Sequence, residues 1–403
     1  MVLKFHGGVH INAKKLFADS EIKYIDNCWA ICIAAGEEYS LVAEIGAQVY
    51  GGELLGFSDG TPVYASVSGC FNGVLEIEGS LYFTVISDGE NNQTPPYEPE
   101  QRALTQLTKE DIIFAARQFA VMDPRSGMPL WKLLSQTENC RRVVIDCTEP
   151  FPHSALLEQV CLENARQLVY GSKILLQATG ALKCVFALEC GKKKVINAIG
   201  GYAHDEKLFA AAPLEEKYPY TDRALVYALY VKNLDMNETP AENGILIVSA
   251  ETAIALFNAM VSGMPQTRRF VTLCGDGFEN GGNFSVPRGI TFHDLQVICN
   301  GFPQDKLIVK NSLLSGQQVA GALDDSTIAI LAAEDKKIPQ KPCISCGECA
   351  NVCPVKLFPA EILLGKSQRM YEKCVACGAC EYVCPSAIPL MNLIKTKEGD
   401  SNE

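Results

Sequence analysis

The chain changes hydrophobic period as it runs. Between residues 40 and 90 apolar positions alternate with polar ones, the period of a strand with one buried face. In 62–69, Val63, Ala65 and Val67 fall on the same face, while 71–77 and 81–86 continue as short strands separated by Glu78-Gly79. These strands predict a small β unit over 1–95, and Pro95, Pro96 and Pro99 mark 91–100 as a linker. From residue 105 the period lengthens. Thr108-Lys-Glu-Asp111 opens a helix as a capping box, with Ile112, Ala116 and Phe119 at helical spacing. Val143-Val-Ile145 and Ile245-Leu-Ile-Val248 read as buried strands, Ser154 as the cap of a helix to about residue 169, and 252–262 as a helix closed by Gly263. Strands alternating with helices predict a mostly parallel sheet across 100–265. A smaller β-rich unit follows at 266–335, with a strand at 269–274, a hairpin turn at Asn280-Gly-Gly-Asn283, and Thr291 and Asp294 capping a helix to about Cys299. Gly275-Asp-Gly277 is a turn and not a dinucleotide loop, because Gly281 and Gly282 break the required spacing. The fold class is therefore multidomain α/β.

Composition narrows the chemistry. Over 403 residues, 35 basic side chains face 47 acidic ones, a net charge of −12 that argues against a nucleic-acid partner. Neither an apolar run of spanning length nor a signal-like start is present, so a cytoplasmic chain without direct membrane insertion is expected. Eighteen cysteines change the picture, since eight of them lie between Cys343 and Cys384. In a reducing compartment such density means metal and not disulfides.

The cluster has internal order. Cys343-Ile-Ser-Cys346-Gly-Glu-Cys349-Ala-Asn-Val-Cys353-Pro354 repeats as Cys374-Val-Ala-Cys377-Gly-Ala-Cys380-Glu-Tyr-Val-Cys384-Pro385. This is the spacing of two-cluster ferredoxins, in which the fourth cysteine of each run reaches the other cluster. The expected ligands are Cys343, Cys346, Cys349 and Cys384 for one 4Fe–4S cluster, and Cys374, Cys377, Cys380 and Cys353 for the other, in a ferredoxin-type domain at 338–395. A zinc ribbon needs two separated pairs for one ion and fits these runs poorly. The other ten cysteines and the five histidines show no ligand spacing. Lys192-Lys-Lys194 reads as a solvated hairpin tip, a place to test the docking of an acidic redox protein.

These features resemble the C subunit of the Rnf ion-translocating ferredoxin:NAD oxidoreductase. The resemblance rests on Phe5-His-Gly-Gly-Val-His10, Pro62-Val-Tyr-Ala-Ser-Val-Ser-Gly69, Lys217-Tyr-Pro219 and the paired cysteine runs. The core is also similar to the flavin-bearing subunit of respiratory complex I and to cobalamin reductases. The resemblance implies an N-terminal sandwich of the lipoyl-carrier type, an α/β flavoprotein-like core, a small β-grasp unit and the cluster domain. Residues 50–80 contain no lysine for a swinging arm, so the first unit is expected to be structural. In such relatives a glycine-rich loop cradles FMN and NADH. Here the matching stretch is Ala120-Val-Met-Asp-Pro-Arg-Ser-Gly-Met-Pro-Leu130, which keeps only Gly127 and Pro129. Asp123 brings negative charge to the phosphate position and Pro124 lacks an amide donor. Two further family stretches are eroded, with Glu149-Pro150 retained from one and Asn311-Ser-Leu-Leu-Ser-Gly316 standing for the other. FMN is thus not expected on this reading. The chain is expected to relay single electrons between a soluble donor, ferredoxin or a flavoprotein, and a redox partner such as Rnf-type membrane subunits, at most peripheral to the membrane. Two alternatives stand beside it. One is a flavin-retaining NADH-dependent reductase with Arg125 on the phosphate, and the other an assembly subunit with structural clusters.

Overall fold

The computed structural model describes the chain except residues 1, 14, 16, 18–19, 204–206, 223–224, 227–238, 276–277, 303–305, 315–318, 320, 335–337, 364–372, 392 and 395–403. Among the described residues five sheets, one of them a two-stranded hairpin, and their helices make a mixed α/β molecule. In the first unit, strands Ala30–Ala34, Ser80–Ser87, Gly69–Ile77 and Gln48–Val49 form one antiparallel sheet, and Tyr39–Leu41, Leu54–Ser58 and Thr61–Tyr64 a second. The alternating residues of the sequence supply the filling between them, with Ile31, Leu55, Val63, Val67, Phe71 and Phe83 buried together. Glu78 and Gly79 turn the longest hairpin with φ of +51° and +78°, the pair of left-handed residues that matches strand twist.

The central sheet is parallel, in the order Phe209–Leu214, Lys183–Glu189, Arg142–Asp146, Ile245–Ser249. Val143 and Ile145 face one core while Val144 faces another, which is why this strand reads as a continuous apolar run. Helices Ala165–Thr179 and Ala250–Ser262 cross closely at Gly171, where an added Cβ would lie 1.9 Å from the Ala253 carbonyl oxygen. The expected single helix after Ser154 is two, Leu156–Glu163 and Ala165–Thr179, separated at Asn164. Ser154 does not cap the first. Its hydroxyl donates to Glu149, whose carboxylate accepts the amides of Leu156 and Glu158 and so does the capping from a distance. The second expected helix begins at Ala250 behind a Ser249 cap and ends on Gly263 at φ +61°.

A five-stranded mixed sheet packs beside this core, ordered Lys23–Tyr24, Gly282–Pro287, Arg268–Gly275, Ala329–Ala333, Leu307–Lys310. Thr291 caps helix Phe292–Ile298 through the Asp294 amide, as the sequence pattern predicts. The described residues up to Cys28 lie outside the two sheets of the first unit. Leu3 bridges Leu214, Val9 bridges Tyr218, and Lys23–Tyr24 joins the mixed sheet. The proline-marked segment also packs, with the Tyr97 ring between Tyr64 and Phe119 and its amide donating to the Gly263 carbonyl. Lys192 to Lys194 form no hairpin tip. Lys192 pairs with Glu158 and Glu189, and Lys193 opens helix Lys193–Gly200. Among the described residues no helix is long and apolar enough to cross a membrane.

Candidate metal centre and the flavin loop

The two cysteine runs fold into near-identical halves. In the first, Ser345 and Gly347 take φ of +56° and +79°, and helix Glu348–Asn351 follows. In the second, Ala376 and Gly378 take +49° and +73° before helix Ala379–Tyr382. After each Cys-Pro pair comes another left-handed residue, Lys356 at +58° and Ala387 at +50°. Such turns aim consecutive amides inward, and the Ser345 and Leu357 amides donate to the sulfurs of Cys343 and Cys353 at 3.4 and 3.2 Å.

Two hollows lie between the halves. One is lined by Cys353, Cys374, Cys377 and Cys380, and the other by Cys343, Cys346, Cys349 and Cys384. Each therefore takes three cysteines from one run and one from the other. Among the described residues, no three metal-ligating side chains converge closely enough to grip a single ion. An iron–sulfide cube is held by four thiolates, the number of cysteines that lines each hollow. Burial pushes the Cys377 thiol up to about 11 and raises Cys349 and Cys380 as well, so iron must displace protons to bind there.

The hollows differ in exposure. Cys343 and Cys346 are exposed, whereas the Cys353 loop is covered by the amino-terminal motif. Gly8 donates to the Val352 carbonyl at 2.8 Å, and an added Cβ on Gly7 would lie 2.7 Å from the Cys353 carbonyl. The Tyr218 hydroxyl donates to the Cys377 carbonyl at 2.8 Å. Gly378 faces the Leu314 carbonyl so closely that a Cβ would sit 2.0 Å from it.

The stretch matched to the flavin loop is a small hairpin, Met122–Asp123 against Met128–Pro129. Asp123 is fully buried. Its carboxylate accepts the Ser126 amide (2.9 Å), the Ser249 amide (2.8 Å) and the Thr252 hydroxyl (2.6 Å). It thus spends a negative charge on the start of helix Ala250–Ser262, where a phosphate would gain from the same amides. Arg125 is committed too. Its guanidinium pairs with Asp146, binds Asp222 at 2.6 Å and donates to the Tyr220 carbonyl at 2.8 Å, so it is not free to hold a phosphate. The residues present do not fit a flavin phosphate at this loop. The charge of Asp123 is legible in the sequence, whereas the partners of Arg125 are not.

The chain matches the model of the Nuo51 FMN-binding domain over residues 125–258 and that of the 4Fe-4S dicluster domain over 335–385. It is similar to the C subunit of the Na(+)-translocating ferredoxin:NAD(+) oxidoreductase complex of Acetobacterium woodii, 25% identical over 82% of this chain and 79% of that one. The corresponding subunit of the proton-translocating complex of Clostridium ljungdahlii is 24% identical over 93% and 86%. The C subunit of the ion-translocating oxidoreductase complex of Pseudomonas aeruginosa is 27% identical over 79% of this chain, which spans only 44% of that longer protein. With these relatives and two thiol-lined hollows in a dicluster domain, the chain is an iron–sulfur electron-transfer protein related to the C subunits of Rnf-type ion-translocating oxidoreductase complexes.

Proposed function

We propose that the chain relays single electrons through two 4Fe–4S clusters without a flavin of its own. Cys343, Cys346, Cys349 and Cys384 would hold the outer cluster, and Cys374, Cys377, Cys380 and Cys353 the inner one. The three-plus-one lining of each hollow supports that crossed arrangement. When bound, a cluster takes or gives one electron at a time. The chain's own residues fix the thiolates, supply amide hydrogen bonds to sulfur and shield the inner hollow from water. A hydride brings two electrons, so oxidation of a nicotinamide would need a flavin upstream. The occupied Asp123 and Arg125 are the observation that argues against one here.

The donor on this reading is a soluble ferredoxin or flavoprotein, and the acceptor a redox partner of the Rnf type, with peripheral association through protein contacts. The same reading assigns residues 1–95 to a sandwich of the lipoyl-carrier type, 100–265 to the flavoprotein-like core, 266–335 to a β-grasp unit and 338–395 to the cluster domain. The Nuo51-type match favours a second reading, a flavin-retaining reductase. The flavin-to-iron ratio of anaerobically purified protein separates them. We expect ~8 iron atoms, from two four-iron clusters, and no extractable FMN. Stoichiometric FMN would overturn the relay in favour of the reductase.

A further inference from the structure

Charge is unevenly spread along the chain. Of its 47 acidic side chains, 12 lie within residues 24–101, which hold no lysine, arginine or histidine. The other 35 balance the 35 basic ones, so the whole net charge of −12 belongs to the first unit and its linker. Ten of those 12 are exposed. Among the described residues only Asp26 and Glu100 pair with a cation, Arg268 and Arg102, both at 2.8 Å. A surface built for solubility alone mixes the two signs, whereas a field of one sign steers a partner.

The same unit exposes apolar side chains in one run, Glu37-Glu38-Tyr39-Ser40-Leu41-Val42-Ala43-Glu44-Ile45. Tyr39, Leu41, Val42 and Ile45 all stand exposed, Val42 at 55% and Ile45 at 67%. A lone exposed aliphatic is ordinary, but four within seven residues make a patch. Strand Tyr39–Leu41 is also the edge of its sheet, paired only with Leu54–Ser58, and no lysine guards it. The run is held in place. The amides of Val42 and Ala43 donate to the Leu55 carbonyl (2.9 and 3.1 Å), and that of Gly46 to the Phe71 carbonyl (2.7 Å). Ile45 lies on Gly73, where an added Cβ would sit 2.9 Å from its Cδ1, and the Tyr39 ring stands edge-on to buried Phe83. Asp59 accepts the Glu38 amide at 3.2 Å and so brings a further carboxylate to the border.

We propose that this platform docks a protein face whose apolar centre is bordered by lysine and arginine. Apolar contact holds the centre, while the carboxylates select the sign of the partner and speed its approach. Because the platform is already fixed, little conformational freedom is lost on docking. A second copy of this chain brings the same charge of −12 and is repelled. An anionic membrane surface is repelled likewise, and an acidic ferredoxin docks elsewhere on the chain. The inference goes beyond the relay reading and does not depend on it, since the platform and the cysteine runs belong to different parts of the chain.

Calorimetric titration of the anaerobic, oxidised holoprotein with ferric mitochondrial cytochrome c, whose apolar haem edge lies in a ring of lysines, tests this. Binding is expected, and it should weaken at least tenfold when those lysines are acetylated or when salt rises from about 20 to about 200 mM. Glu38→Gln with Glu44→Gln should weaken it about tenfold, and Val42→Ser with Ile45→Ser by a similar factor. Glu110→Gln with Glu138→Gln, an equal change of net charge outside the unit, should leave affinity unchanged. Iron content should stay constant throughout, so failure here leaves the relay reading standing. No binding, equal binding of the acetylated protein, or equal weakening by the control pair would overturn the proposal. Indifference to the Val42 and Ile45 substitutions would overturn it too, by showing diffuse attraction in place of a docking face. Tighter binding of vesicles rich in phosphatidylserine, or of an acidic ferredoxin, lost on the Val42 and Ile45 substitutions, would assign the platform to that occupant instead.

Discussion

At the scale of single residues, the clearest demands are steric. Gly7 has φ of +68° and faces the Cys353 carbonyl, so Gly7→Ala both strains the backbone and pushes on a cluster loop. The expected outcome is loss of the inner cluster's paramagnetic signal with the outer one retained, measured on anaerobic protein by electron paramagnetic resonance. Glu189 makes a different prediction. Its folded-state value of about 7 exceeds that of an unfolded glutamate, so the folded chain binds the extra proton between about pH 4.5 and 7. The stability it contributes is full below pH 4.5 and lost as pH rises through 7, an effect on the order of 3 kcal/mol. Glu189→Gln should therefore raise the urea midpoint at pH 8 and leave it nearly unchanged at pH 5. A lower midpoint at pH 8 would show that Lys15 and Lys192 hold the charge better than its burial penalises it.

At the scale of elements, buried charges tie one segment to the next. Asp123 joins its hairpin to the start of helix Ala250–Ser262, and removing it orphans the Ser249 amide and leaves the Thr252 hydroxyl only the Met122 carbonyl, at 3.5 Å. Asp123→Ala should cost about 2–4 kcal/mol by thermal or urea unfolding, the loss of a charged cap and two buried bonds. It should not create flavin binding, because Arg125 keeps its ties to Asp146 and Asp222. The same helix is tied to the mixed sheet by Glu251 and Arg269 at 2.7 Å, extended through Asp325 to Arg288 at 2.6 Å. All four side chains are buried or nearly so, and Arg269→Met leaves Glu251 charged in a dry place. A loss of about 3–5 kcal/mol is expected, since breaking one partner of a buried pair costs more than the pair supplies.

At the scale of the whole molecule, the two hollows have unequal cover. The amino-terminal motif, Tyr218 and the Leu314 carbonyl close over the inner one, while Cys343, Ile344 and Cys346 stand exposed at the outer one, Ile344 at 67%. Anaerobic treatment with an iron chelator should strip the outer cluster first. Iron would then pause near ~4 atoms per chain, half of two four-iron clusters, with one paramagnetic signal lost. Simultaneous loss of both signals would show that cover does not govern their lability.

What is local could be read along the chain. Cysteine spacing announced an iron–sulfur module, because ligand identity and a tight loop lie within a dozen residues. The strand alternation around Val63 and Phe71, the Thr291 cap and the Gly263 stop were legible for the same reason. The charge of Asp123 was enough to cast doubt on the flavin loop. What stayed open needed partners far along the chain. Arg125 reads as a free cation until Asp222, 97 residues away, is placed on it. Ser154 reads as a cap until Glu149 takes that task. The amino-terminal glycines have no visible purpose until Cys353 is set against Gly7, and the lysine run looks solvated until Glu158 and Glu189 enclose Lys192. Glu189 and Glu215 line one cavity only once the sheet and the amino-terminal segment have packed. Periodicity encodes which face of an element is buried, whereas the meeting of side chains is set by how the sheets pack.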